Sequence, residues 1–587
     1  MTRHSAETTP KRPKKSVSLA IAGSGGAGAL TAGTIVLECA GKVGWYGMLN
    51  RAVGPQIRGG EAAALLRLAN HPVDCMTAEY DLLVCLDWKN VERFAAGMPV
   101  RDGGTIIADP ALGEVPQIVA RPGTEVAMVP IKELAASIEG GRENMVAAGL
   151  VAQLTGLSDE AVSATIAHKI GAKGEAAVAS SLAAARAGMR AARDLGLGER
   201  LEIGAAYQKD QGRWMITGNE ALGLGALRGG VRFAAGYPIT PATDVLEWLA
   251  SALHEVGGSL VQAEDELASA NMIIGASFGG RPALTATSGP GLALMTEALG
   301  LAVAAEVPLV VVDVMRCGPS TGIATKSEQS DLNIALNGLH GDAPHVVVAP
   351  ISVADCLYTA QWSVYLAEAM QTPVIVLSDQ AMGQARVAMK RPVHLSFVGQ
   401  RKTFAGNSET PYLRYALTAD GVSAMAIPGT SGGQYTADGL THAESGTPST
   451  SASDQQAQMD KRRRKVEAFD YGVHWGETFG EGDTVILTWG SLTAAAREAQ
   501  RRLAGEGIAV KVVAPRLLAP FPREGLGKAL AGATRILVVE QSHGGQFHGW
   551  LRAQTDLPGE TRQLHRPGPR LIGAGEISQQ IRDWMSQ

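Results

Sequence analysis

The chain has 587 residues, with 52 Lys and Arg against 57 Asp and Glu, a formal charge of −5. That length holds about three to five domains at roughly 100–200 residues each, and the slight acidic balance excludes a basic surface for nucleic acid or an anionic membrane. The cysteines at 39, 75, 85, 317 and 356 are spaced too widely for a zinc ribbon, a CxxC pair or a cysteine-ligated iron–sulfur motif, and too few for a secreted disulfide scaffold.

Residues 1–15 are polar and basic and contain Pro10 and Pro13, the composition of a disordered tail. Lys11, Arg12, Lys14 and Lys15 precede an apolar stretch over 17–32 and so imitate a secretory signal. Gly23, Gly25, Gly26 and Gly28 are poor in a helical segment, and a strand followed by a phosphate-type turn fits the same letters better. Runs at 17–22, 82–86 and 126–129 read as buried parallel strands. Ala-rich helical stretches surround them and continue through 143–154. Residues 175–212 read as helical and link two domains.

A second α/β region starts near Gly218, with strands expected at 231–235, 283–287, 309–314, 346–349 and 374–377. Within it the apolar run 299–315 is broken by Glu306, Pro308 and Asp313 and is too short to span a bilayer. A cytoplasmic protein with no membrane segment is expected. Residues 403–465 are rich in Gly, Ser, Thr and Gln and read as an extended connector. The basic run 461–465 that ends it reads as a solvated helix face. A third α/β region carries strands at 485–489, 510–513 and 536–539.

Several segments can carry chemistry. Gly23-Ser-Gly-Gly-Ala-Gly28 follows a strand and opens a helix, which turns N–H groups toward an anion. A dinucleotide site needs an acid after the second strand. That strand is expected at 43–49 and is followed by Asn50, Arg51 and Ala52, so NAD is disfavoured. A phosphate-bearing ligand and a bare strand–helix turn both stay open. In Gly54-Pro-Gln-Ile-Arg-Gly-Gly-Glu61, Arg58 could reach a phosphate or a partner, or simply be solvated. Gly318-Pro-Ser-Thr-Gly322 has the spacing of a hydrolase nucleophile elbow. Pro319 suits a strained elbow badly, and His340 precedes Asp342 where a triad expects the acid first. A Gly-lined substrate loop is the better reading. Gly236-Tyr-Pro-Ile-Thr-Pro241 follows a strand at the end where α/β folds place ligands, and its prolines stiffen it; taken alone, it reads better as a structural strand–helix loop. Glu264-Asp-Glu266 opens a helix, where acids are ordinary dipole partners; a carboxylate buried there could also be catalytic.

Tyr237-Pro-Ile-Thr-Pro241, Glu264-Asp-Glu266, Thr287-Ser-Gly-Pro-Gly291, Arg316-Cys-Gly-Pro-Ser-Thr-Gly322, Gln329-Ser-Asp331 and Leu339-His-Gly341 occur in this order. With this set the sequence resembles the alpha subunit of 2-oxoacid:ferredoxin oxidoreductases, most of all the 2-oxoglutarate type with a γ domain fused at the N-terminus. Trp489-Gly-Ser491, Leu518-Ala-Pro-Phe-Pro522 and Val538-Val-Glu-Gln541 extend the resemblance to the C-terminal region. The resemblance implies an α/β protein of three α/β domains. Residues 16–195 correspond to a Rossmann-like γ domain, 196–402 to a thiamine-diphosphate-binding pyrimidine domain and 470–587 to a transketolase C-terminal-like domain, with 403–469 as the connector.

The resemblance further implies oxidative decarboxylation of 2-oxoglutarate with coenzyme A to succinyl-CoA and CO2, reducing ferredoxin, or the reverse carboxylation. Thiamine diphosphate would take its pyrimidine half from this chain. Mg²⁺ and a [4Fe-4S] cluster would sit on a beta subunit in an (alpha-beta)2 assembly, and this chain would hold no metal. Glu266 matches the residue that shares a proton with the aminopyrimidine ring. Tyr237, Pro238, Gly289 and Gly291 match the surroundings of the cofactor. Thr240 and Arg316 match the grip on the substrate carboxylate, where Arg offers a fixed fork. Thr321, Thr325 and Lys326 are candidates for the second carboxylate. Gly23, Gly25, Gly26 and Gly28 are candidates for coenzyme A phosphates. The alternatives are the same chemistry on pyruvate or a branched-chain 2-oxoacid, and a non-catalytic assembly subunit.

Overall fold

A computed structural model describes residues 13–53, 60–89, 91–196, 201–206, 213–323, 325–393, 395–406 and 409–587. The chain forms two compact units, one of Met1–Ile216 with Ala385–Pro392 and one of Thr217–Gln384 with Val393–Gln587.

The first unit is organised by Ser16–Ser24, the central strand of an eight-stranded sheet. Its alternate residues serve two cores, as a strand's two faces require. Val17, Leu19 and Ile21 pack with Ala32, Ile35 and Val36 of the helix Ala29–Lys42. Ala20 and Ala22 pack on the other side with Leu83 and Ile106. On one flank the strands Tyr80–Cys85, Val100–Ala108 and Glu125–Met128 run parallel, as the sequence suggests. The other flank departs from the expectation of parallel strands. Glu61–Ala69 pairs antiparallel with Ser16–Ser24 and also antiparallel with Tyr46–Val53. The Ala- and Leu-rich letters of 61–69 favour a helix, and long-range pairing overrides them. The strand expected at 43–49 starts at Tyr46 because Val43 still caps the preceding helix through Cys39 O. Lys14 and Lys15 belong to the fold and not to a tail: the Lys14 N–H donates to Glu202 O and the Lys15 carbonyl accepts from Asn70 N–H.

The second unit contains a seven-stranded and a five-stranded sheet. Across the seven-stranded sheet the order is Leu517–Ala519, Val346–Val348, Pro373–Asp379, Leu309–Met315, Ala283–Thr287, Phe233–Gly236 and Ser259–Gln262. All pairs are parallel except the first. That exception is a strand lent by the C-terminal region, which covers what would be an open edge. The five-stranded sheet is centred on Thr484–Thr488, Val510–Pro515 and Arg535–Glu540. One core joins the two sheets: Leu292, Met295, Val311 and Ile375 pack with Val485, Trp489, Val513 and Val538. Arg516 adds a polar joint, its Nε and Nη2 reaching the Asp355 carboxylate at 2.8–3.2 Å.

Residues 403–469 are not extended throughout. Ala452–Glu467 is a helix, and its basic run is not a solvated face. Lys461 and Lys465 are buried and both bond Glu306, Nζ to Oε1 at 2.7 Å and Nζ to Oε2 at 3.0 Å. Arg414 Nη2 donates to the Glu306 carbonyl at 2.8 Å. Burial alone pushes the Glu306 carboxyl up, but Lys465, Lys461 and Arg414 outweigh it and hold it down at about 2. Lys465 is lowered to about 8, because burial and the neighbouring cations exceed what one carboxylate returns. No helix among the described residues is long and apolar enough to cross a membrane.

Glu306→Gln leaves two buried ammonium groups without their anion, and we expect it to lower unfolding stability by roughly 3–5 kcal/mol in urea titrations at neutral pH. The depressed carboxyl also gives a sign: its contribution is complete above its ordinary range and is lost as pH falls toward about 2. Acid melts of Glu306→Gln should therefore lack that part of the wild-type loss.

Candidate active site

The candidate residues of the second unit gather at the carboxyl ends of its parallel strands, where ligands bind in open α/β sheets. Tyr237–Pro241 follows Phe233–Gly236, 264–266 follows Ser259–Gln262, Ser288–Gly291 follows Ala283–Thr287, and Arg316 follows Leu309–Met315.

The three acids at 264–266 have three different fates. Glu264 is exposed. Asp265 is the N-cap of the helix Glu266–Phe278 and its Oδ1 accepts the Ala268 N–H at 2.7 Å. Glu266, the first helical residue, turns inward and is only 7% exposed. The dipole reading therefore holds for Asp265, while Glu266 is the buried carboxylate. Gly291 lies directly over it. A Cβ on Gly291 would stand 2.7 Å from Glu266 Cγ and 2.8 Å from its Oε1, and would overlap the Thr287 hydroxyl. Gly289, at the start of the helix Gly289–Ala304, is set in the same way against Asp331, whose carboxylate oxygens lie 2.5 and 2.6 Å from the Cβ position. The spacing of these glycines thus reflects two carboxyl groups packed against backbone.

Arg316 and Thr240 are brought together. Arg316 Nη1 donates to the Thr240 carbonyl at 2.7 Å, while the Thr240 side chain is exposed. Arg316 Nε is buried with no partner among the described residues. Asn219, fully buried, holds the next carbonyl, its Nδ2 donating to Pro241 O at 2.8 Å. The loop that bears Tyr237, Pro238 and Thr240 is therefore fixed by two successive carbonyls. Tyr237 and Pro238 are themselves exposed.

The loop after Arg316 folds back on its own base. Cys317 N–H donates to Lys326 O at 2.7 Å, which sets Lys326 beside the Arg316–Cys317 junction. Ser320, Gly322 and Thr325 have positive φ, a concentration of left-handed backbone of the kind found at binding loops. Thr321 is exposed, and Thr325 and Lys326 are half-buried. Ser320, His340 and Asp342 are all exposed, and no hydrogen bond joins Ser320 to either among the described residues. A hydrolase triad has no support.

In the first unit Gly23–Gly28 forms the expected strand–helix turn, with Gly26 and Gly28 at φ 107° and 83°. Asn144 packs against Gly28 so closely that a side chain there would collide with it. A carboxylate already holds the start of the turn. Asp87 Oδ2 accepts Ser24 N–H at 2.9 Å and Ser24 Oγ–H at 2.7 Å. Gly25 N–H donates to Gly60 O. Glu143 stands nearby with its carboxyl pushed up, by burial and then by Asp109 and Asp87 against the pull of Lys132. A phosphate at Ser24 would have to displace Asp87 from an acidic neighbourhood. Residues 54–59, including Arg58, lie outside the described residues.

Sequence reading names Gln329-Ser-Asp331 as a motif but gives neither residue a role, and it misses Asn219 and the pairing of Asp331 with Asp313. A charged residue inside the apolar run Leu309–Met315 was the one available signal for Asp313.

Three family models match the chain. Residues 224–461 match the thiamine-diphosphate-binding domain of pyruvate flavodoxin/ferredoxin oxidoreductases. Residues 18–191 match the pyruvate ferredoxin/flavodoxin oxidoreductase domain, and 482–558 match core domain II of pyruvate:ferredoxin oxidoreductase. The 2-oxoglutarate synthase subunit KorA of Archaeoglobus fulgidus is 35% identical over 330 residues, 56% of this chain and 88% of that protein. The 2-oxoacid:ferredoxin oxidoreductase subunit alpha of Saccharolobus solfataricus is 34% identical over 366 residues, so this chain spans only 57% of that relative. A solved 2-oxoglutarate:ferredoxin oxidoreductase from Magnetococcus marinus, with 2-oxoglutarate, coenzyme A and succinyl-CoA bound, superposes with a TM-score of 0.90 at 33% identity. That match covers 97% of this chain and 99% of the other. With its ordered motifs, its buried Glu266 under Gly291 and these matches, the chain belongs to the 2-oxoacid:ferredoxin oxidoreductase family, as a counterpart of its alpha subunits.

Proposed function

We propose that this chain is the alpha subunit of a cytoplasmic 2-oxoglutarate:ferredoxin oxidoreductase, converting 2-oxoglutarate and coenzyme A to succinyl-CoA and CO2 while reducing ferredoxin. The observation that carries the reading is the buried Glu266 carboxylate roofed by Gly291, in a fold that matches a 2-oxoglutarate-binding relative along nearly its whole length.

The residues fit the pyrimidine half of thiamine diphosphate: a carboxylate at the floor and a roof from which a side chain is excluded. When bound, that cofactor supplies the carbon nucleophile and holds the electron pair that CO2 leaves behind. Glu266 at this floor would share a proton with a ring nitrogen, the general acid–base role that a carboxylate can play there. Arg316 and Thr240 orient the carboxylate to be lost, Arg316 with the nitrogens not committed to the Thr240 carbonyl. Lys326, with Thr321 and Thr325, meets the second carboxylate and sets the preference for 2-oxoglutarate. Coenzyme A is assigned to the region of Gly23–Gly28, at the turn beyond the Asp87 carboxylate.

The reading assigns Mg²⁺ and the [4Fe-4S] cluster to a beta subunit, in an (alpha-beta)2 assembly. Four of the five cysteines are buried. Burial pushes the Cys39 thiol up to about 11 and, with Glu328, the Cys317 thiol up to about 12, whereas a cluster ligand must be a thiolate. A partner surface is available around Glu266. Tyr237, Val261, Leu267, Met272 and Leu294 are exposed apolar side chains on the elements that carry the site.

The chain co-expressed with its beta partner should reduce a viologen dye with 2-oxoglutarate in a coenzyme-A-dependent way; an intact, cofactor-loaded complex that turns over no 2-oxoacid overturns the reading. Glu266→Gln keeps the shape but cannot share the proton, and should lower kcat about 10²–10⁴-fold in an intact assembly. Gly291→Ala should weaken thiamine diphosphate in calorimetric titration of the complex, with assembly retained by size-exclusion chromatography. Lys326→Met should raise KM for 2-oxoglutarate about 10- to 100-fold and leave that for pyruvate unchanged; equal effects on both substrates remove Lys326 from specificity.

A further inference from the structure

Asp313, fully buried, and Asp331, half-buried with its Oδ2 enclosed, form a carboxyl pair that the reading above does not use. Asp313 lies in the middle of an apolar strand, between Val311 and Met315, and is fully buried. Both of its oxygens, and Oδ2 of Asp331, lack a hydrogen-bond partner among the described residues. Two ionised carboxylates without donors cannot lie together in such a place. A single O–H on one, donated to the other, gives each acid one partner and removes one of the two charges. The pair is also mechanically connected to the site. Asp313 is the parallel partner of Thr287, the residue that precedes the Ser288–Gly291 turn. Asp331 fills the space at Gly289, and two residues on Gly291 covers Glu266.

We propose that Asp313 and Asp331 share one proton and act as positioning residues, holding the Gly289–Gly291 turn against Glu266. Burial raises the proton affinity of both, reinforced at Asp313 by Asp331 and at Asp331 by Glu328, with Arg316 opposing. The other elements around the pair add little positive charge. Among the described residues Glu328 and Arg316 are the other charged groups that act on the pair, and the C-terminal region brings the neutral Gln546, bonded to the Ser330 carbonyl. Loss of the shared proton therefore creates a repelling dianion that pushes Asp331 off Gly289. The sign follows: carboxyls raised in the fold favour it at low pH, and that advantage is lost as pH climbs from their ordinary range of about 4 through the raised one.

The shared proton stands on its own; its consequence for the cofactor rests on the role proposed for Glu266. The test uses the assembled complex between about pH 6 and about pH 9. Infrared difference titration should show a protonated carboxyl band that bleaches as pH rises and is missing in Asp313→Asn. In calorimetry, wild-type affinity for thiamine diphosphate should fall about tenfold per pH unit beyond the pair's titration. Asp331→Asn carries a permanent N–H donor in place of the shared proton and should keep its affinity flat, whereas Asp331→Leu should lose affinity at every pH. A purely structural role would leave the alkaline limb of Asp331→Asn where wild type has it. That result, or a wild-type spectrum without the band, overturns the proposal. If Asp331→Asn does not assemble, Asp313→Asn gives the same reading and the wild-type band still decides. A wild-type complex that shows the band but binds no thiamine diphosphate at any pH sinks the reading of Glu266 and leaves the shared proton standing.

Discussion

Within the second unit, the arrangement of the site depends on how Gln329 is held. Its backbone N–H donates to Gln541 O at 2.7 Å, its Oε1 accepts Gln541 N–H at 2.9 Å, and its Nε2 donates to Trp489 O at 2.9 Å. Gly490 leaves the room, since a Cβ there would stand 2.5 Å from Gln329 Nε2. Each such bond contributes only about 1 kcal/mol net, but breaking one strands a buried partner at a larger cost. The loop from Arg316 to Asp331 is thereby bound to the five-stranded sheet at one end and to Thr240 at the other. Arg316, Lys326 and Asp331 all ride on it. The C-terminal region is therefore part of the site's support, although none of the candidate residues lies there.

The motifs of that region make sense as parts of this support. In Val538-Val-Glu-Gln541, Glu540 accepts the N–H groups of Phe547 and His548 and so caps the helix Gln546–Gln554. The capped helix then presents Gln546, whose Nε2 donates to Ser330 O and whose Oε1 accepts Asn333 N–H. Gln541 does the rest, its amide gathering the carbonyls of Arg566, Pro567 and Arg570. Leu518-Ala-Pro-Phe-Pro522 closes the edge of the seven-stranded sheet and is stopped by proline, which cannot extend a ladder. Two sheets with one core and reciprocal side-chain bonds leave little freedom between the loops they carry.

The sequence made the buried parallel strands legible, because runs such as Leu309–Met315 are apolar on both faces and have few other fates. It also made the strand-end loops legible, since their order and their glycines and prolines mark them. What it hid was pairing at a distance. Glu61–Ala69 has helical letters and becomes a strand only because Ser16–Ser24 and Tyr46–Val53 lie on either side. Lys461 and Lys465 look like a solvated basic face until Glu306, some 155 residues earlier, is placed between them. Among three adjacent acids, composition cannot say which one turns inward. The helix N-cap decides it, by taking Asp265 and leaving Glu266 as the first residue facing Gly291.

That contrast extends to three buried carboxyls of the second unit, and it shows why identity alone does not assign chemistry. Glu306 is fully buried, yet three cations keep it ionised, and its work is to fasten the connector helix. Asp313 is as deeply buried and has no cation bonded to it among the described residues, which the proposed shared proton answers. Among the described residues Glu266 has neither a cation bonded to it nor a second carboxyl as direct partner, but a bare backbone roof. On the function proposed above, an arrangement of that third kind is the one that serves a bound cofactor, and the glycine at 291 is then as much a requirement as the glutamate beneath it.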